Sequence, residues 1–140
     1  MTKLEQIVTS KDLSEELKAA GFEQDTINVW ERSDSIPKSE YYLTQPELMR
    51  RYGLWGTQEV KERVAAPTTD ELLAVLPKAI GKDLAANILT LHYNQFITTP
   101  WQVYYRDKGG SFGGKEKQSA DTPVNALARL WLELKREGIV

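Results

Sequence analysis

His92 is the only histidine in the 140-residue chain, and there is no cysteine. Two-histidine metal sites, thiol catalysis and zinc–thiolate centres are therefore excluded within one chain. A serine–histidine–carboxylate triad would rest on His92 alone. That residue falls midway along an alternating run, on the side of Thr90, where a surface or hydrogen-bonded histidine is the simpler account. Carboxylates are more numerous. The pairs Glu15 and Glu16, and Asp70 and Glu71, lie near the starts of expected helices, where the dipole favours negative charge without acid–base work. A hydrolase holding a metal through carboxylates alone is the enzymatic reading that remains, and it implies stabilisation by divalent cations. No residue is assigned a catalytic, metal-ligating or cofactor-binding role, and no cofactor is expected.

The run Lys108-Gly-Gly-Ser-Phe-Gly-Gly-Lys115 has the composition of a phosphate-binding loop but not its order. It lacks Gly-x-x-x-x-Gly-Lys-Ser/Thr and Gly-x-Gly-x-x-Gly, and no helix follows to present amides to a phosphate. It reads as a turn or hairpin tip. Leu43 to Leu54 resembles the opening helix of a helix-turn-helix reader, with a helical turn around Glu47 to Tyr52, but no amphipathic recognition helix follows before Pro67.

The remaining candidates are planar rings interleaved with cations. Ile27 to Arg32, Leu84 to Asn94 and Trp101 to Arg106 alternate with period two, as half-buried strands do. If these strands are neighbours, Asn28, Trp30, Arg32, His92, Gln102, Tyr104 and Arg106 share an outward face. Trp30, Arg32, Tyr104 and Arg106 are the partner-binding candidates, because tyrosine, tryptophan and arginine are the residues that dominate protein contacts. The same four could instead stack and neutralise a single-stranded nucleic acid. A net charge of −2 gives that second reading no bulk electrostatic support.

Three punctuated helices position these strands. Lys11 to Ala20 has Ser10 as N-cap, the apolar stripe Leu13, Leu17 and Ala20, and Gly21 to end it, with Phe22 packing back on Leu17. Thr69 to Leu76 opens with the capping-box pair Thr68 and Glu71, buries Leu72, Leu73, Val75 and Leu76, and stops at Pro77. Pro123 to Glu137 is capped by Asp121 or Thr122, carries Leu127, Leu130, Trp131 and Leu134 on one side, and ends at Gly138. Glu59 to Ala65 and Lys115 to Ser119 are further strands. The residues around Phe96 and Pro100 are few enough to close an antiparallel hairpin. The expected class is α+β: a small antiparallel sheet packed on one face by about three helices. Residues 1–140 are expected to form a single domain, with an aromatic-rich irregular insertion at about 33–57 holding Tyr41, Tyr42, Tyr52 and Trp55.

With 41% hydrophobic and 27% charged residues the composition is that of a soluble globular protein, and no membrane partner is expected. The absence of cysteine, and of a basic start and apolar stretch in Met1 to Ser10, suits a cytoplasmic protein. Three stretches also form a recognisable order. Ser10 to Gln24 contains Leu-Lys-Ala-Ala-Gly, Ala65 to Pro77 contains Pro-Thr-Thr-Asp-Glu-Leu-Leu-Ala-Val-Leu-Pro, and Asp121 to Leu132 opens Asp-Thr-Pro-Val-Asn-Ala-Leu-Ala. In this the chain resembles small uncharacterised proteins of bacteriophages and prophages. The resemblance implies a bacterial mobile-element origin and transfers no activity or site residue. The expected function is that of a non-enzymatic module working through a protein partner or a homodimer. The alternative is a small nucleic-acid-binding accessory protein.

Overall fold

A computed structural model describes residues 3–33, 40–46, 60–80, 87–106 and 117–140. The chain divides into two compact units, residues 1–68 and 69–140. Both mix helices with antiparallel strands, so the class is α+β as expected, and the strands are shared between two sheets, of three and four strands.

In the first unit, α1 (Lys3–Ile7) and α2 (Lys11–Ala19) precede β1 (Val29–Ser33), β2 (Tyr42–Thr44) and β3 (Val60–Ala65). The punctuation of α2 works as read. The Ser10 hydroxyl accepts from the Leu13 amide, and Gly21 takes φ +92°. The amides of Gly21 and Phe22 return to the carbonyls of Lys18 and Leu17 at 3.1 and 2.8 Å, the paired bonds of a Schellman end. The strands pair in the order β2-β1-β3, with Trp30 opposite Leu43 on one side and Val64 on the other. Val8 bridges to Thr68, and the Thr9 amide donates to the Pro67 carbonyl, so the entering segment runs beside the exit of β3. Burying this polar corner costs little, because Thr9 and Ser14 join their hydroxyls at 2.6 Å.

In the second unit, α3 (Thr69–Val75) leads to β4 (Ala79–Ile80), β5 (Asn87–Tyr93), β6 (Trp101–Arg106) and β7 (Gln118–Ala120), and α4 (Pro123–Arg136) closes the chain. The four strands pair in sequence order, all antiparallel. The expected hairpin is present: β5 and β6 pair from Ile88 with Arg106 to Tyr93 with Trp101. Thr122 caps α4 by accepting from the Asn125 amide, and Gly138 ends it at φ +76°. The helix buries Leu127, Leu130, Trp131 and Leu134 and packs on β6, β7 and α3. In α3 the sequence reading needs correction. Leu72 and Leu76, four residues apart on one face, are buried, whereas Leu73 and Val75 are turned off that face and exposed. Among the described residues no helix is long and apolar enough to cross a membrane.

The glycine run, the helical turn at 47–52, Tyr52 and Trp55 lie outside the described residues. What is described of the 33–57 segment includes a strand, β2, whose Leu43 and neighbouring Tyr41 pack against the cluster of Val8, Trp30, Val64 and Ala66.

Candidate interaction surface

The four nominated residues fall on two different sheets: Trp30 and Arg32 on β1, Tyr104 and Arg106 on β6. The neighbours of β1 are β2 and β3, and those of β6 are β5 and β7, so the shared outward sheet face does not form. Trp30 is buried and its indole Nε1–H donates to the Thr9 carbonyl at 3.0 Å. Tyr104 is buried too. Arg32 is half-buried opposite Glu62, and Arg106 is exposed opposite Ile88. Alternation had separated two faces correctly, but both faces of β1 and of β6 carry buried residues: Val29 with Trp30, and Val103 and Tyr105 with Tyr104. Asn28 is buried with its side-chain oxygen accepting from Gln45, Gln102 is half-buried, and His92 is exposed on β5.

A polar cluster lies on the first sheet, where Glu31 stands in register with Tyr42 and Arg63. Glu31 is only 3% exposed. One of its carboxylate oxygens accepts from Arg63 Nε and Nη2 at 2.8 and 2.7 Å, and the other accepts from the Tyr42 hydroxyl at 3.3 Å. Burial first, then the Glu31 charge, pushes the Tyr42 phenol up. Both oxygens are occupied and the guanidinium neutralises the charge, which makes this a satisfied structural ion pair rather than an available acid or base. On the other face the Tyr41 hydroxyl donates to Glu62, while Lys11 Nζ lies 4.8 Å above the Tyr41 ring. The Glu62 hydrogen bond is the main cause that pushes the Tyr41 phenol up to about 12, with burial and the charges of Glu62 and Glu15 adding and Arg32 opposing. Among the described residues no three histidine, aspartate or glutamate side chains are grouped to hold a metal.

An exposed apolar surface among the described residues lies on β5 and the turn after it. Leu89, Leu91 and Tyr93 share one sheet face with Tyr105, Val103 and Trp101 of β6. Val103 and Tyr105 are buried, yet Leu91 is 38% and Tyr93 54% exposed, the latter with its ring 5.1 Å from that of Trp101. The chain then turns at Asn94, whose amide donates to the Pro100 carbonyl at 2.7 Å and whose side chain accepts from the Phe96 amide at 3.1 Å. These bonds fix a tip that leaves Phe96 86% exposed, with Ile97 exposed beside it. The period of two had placed Leu91 and Tyr93 on one face and Phe96 in the connection. It carried no sign that the helical cover would fall on β6 and β7. The available signal was the absence of charge throughout Asn87 to Tyr93.

Comparison of the chain with protein-family models, with curated proteins and with solved structures finds no match in any of the three.

Proposed function

We propose that the protein is a non-enzymatic interaction module of phage or prophage type, working through protein contacts made by Leu91, Tyr93, Phe96 and Ile97. The observation that carries this reading is Phe96, 86% exposed on a turn fixed by its own hydrogen bonds. The backbone that carries the ring is already held by hydrogen bonds, so a partner that buries it gains about 1.5–3 kcal/mol without first immobilising a loop. The cysteine-free composition suits a cytoplasmic setting. The nucleic-acid alternative has less support, because Trp30 and Tyr104, the rings it needs for stacking, are buried.

A photoreactive phenylalanine analogue at position 96, introduced into the chain in bacterial cells, tests the reading. The expected result is one discrete protein adduct, to itself or to another chain, that is lost when Tyr93 is also replaced by serine. Absence of any protein adduct would overturn it.

A further inference from the structure

Resting on the reading of β5 as a contact surface, we infer that its occupant is β5 of a second copy of this chain, paired antiparallel about a two-fold axis at His92. The backbone specifies a strand. Asn94 donates to Pro100 across the hairpin, so in the alternating ladder the even residues of β5 bond to β6. The odd residues, Leu89, Leu91 and Tyr93, direct their amides and carbonyls to the other edge. There the Leu89 amide is taken by the Lys78 carbonyl at 2.9 Å, and β4 pairs only with Asn87 and Ile88. Among the described residues no strand lies along Leu91 to Tyr93.

The contrast with β3 is informative. Its outer edge is closed by side chains: Lys18 Nζ donates to the Arg63 carbonyl at 3.0 Å, and Gln24 accepts from the Ala65 amide at 2.9 Å. Among the described residues the β5 edge at Leu91 to Tyr93 shows no such closure. It has no lysine or proline between Asn87 and Tyr93, and its pairing with β6 has no bulge.

The free length of edge then selects the register. Centring the axis on Leu91 would set Tyr93 against Leu89 of the other copy, where Lys78 already sits. Centring it on Tyr93 leaves a single bonded pair. Centring it on His92 pairs Leu91 with Tyr93 twice over, and each pair exchanges both backbone bonds. Leu91 and Tyr93 of both copies then form one apolar strip on the same face. The uncharged strand meets its own image without repulsion, and two sheets of four strands join into one.

This register places residue 92 directly against itself in a closely spaced pair, which gives a direct test. His92 is exposed, so aspartate or lysine there leaves the fold intact, checked by circular dichroism. Light scattering on the purified chain is expected to show a dimer. H92D and H92K alone are each expected to weaken it about five-fold through like charges face to face, and an equimolar mixture is expected to restore it as a heterodimer. A wild-type monomer at all concentrations overturns the inference, as does a dimer indifferent to both charges. Either result leaves the photo-crosslink from position 96 to decide separately whether the surface contacts another protein.

Discussion

Leu91 stands directly across the β5–β6 ladder from Val103, on the same face of the same sheet, yet Val103 is fully buried and Leu91 is 38% exposed. The difference follows from α4, which packs on β6 and β7. A cross-strand pair half in the core and half at the surface marks where the helical cover of this sheet ends among the described residues.

The two members of that pair are expected to respond differently to substitution. Val103→Ala empties a filled core position and should cost about 1.5–3 kcal/mol in urea unfolding. Leu91→Lys should change unfolding of the monomer by no more than about 0.5 kcal/mol while abolishing self-association. Equal destabilisation by both would mean that Leu91 is a core residue.

On the first sheet the buried Glu31 carboxylate is paired with the partly exposed Arg63 guanidinium. Arg63→Met strands the buried carboxylate and is expected to cost about 2–4 kcal/mol, toward the lower end because the Arg63 side chain is 41% exposed. Replacing Glu31 by methionine as well should recover most of that loss. A double variant no more stable than the single one would show that the pair contributes through more than charge compensation.

Tyr41 sets an alkaline limit on the same unit. Its folded-state value of about 12 lies above the ordinary tyrosine value near 10. The folded chain therefore holds the phenolic proton more tightly than the unfolded one does. The contribution is complete below about pH 10 and disappears as pH rises through about 12. Phenolate absorbance followed against pH should lose a step near pH 12 in Tyr41→Phe, and an unchanged curve would show that Glu62 does not hold this proton.

The parts of this fold that were legible in the sequence are those fixed by neighbours along the chain. Ser10 with Gly21, and Thr122 with Gly138, terminate α2 and α4 because caps and left-handed glycines act within one turn. The strand Trp101–Arg106 was read to the residue, since its alternation is bounded by Pro100. Two-residue β4, three-residue β2 and five-residue α1 are too short to show a period, and pairing at a distance defines the strands. The same limit governed the candidate surface. Periodicity assigns Trp30 and Tyr104 to a face, but whether a face is covered depends on non-local packing, and both residues turned out to be buried. The apolar side of β5, expected to face inward, is in part exposed for the same reason.

Closure of the β5 edge at Leu91 and Tyr93 by a strand from a second copy would show in the backbone amides themselves. Amide hydrogen exchange, resolved at residues 91 to 93 and followed with protein concentration, tests it most directly. The His92 amide, bonded within the hairpin, is expected to be protected at every concentration, while those of Leu91 and Tyr93 exchange quickly in dilute protein and slow together as the dimer fills. Fast exchange at Leu91 and Tyr93 in protein concentrated well beyond any measured association would contradict it.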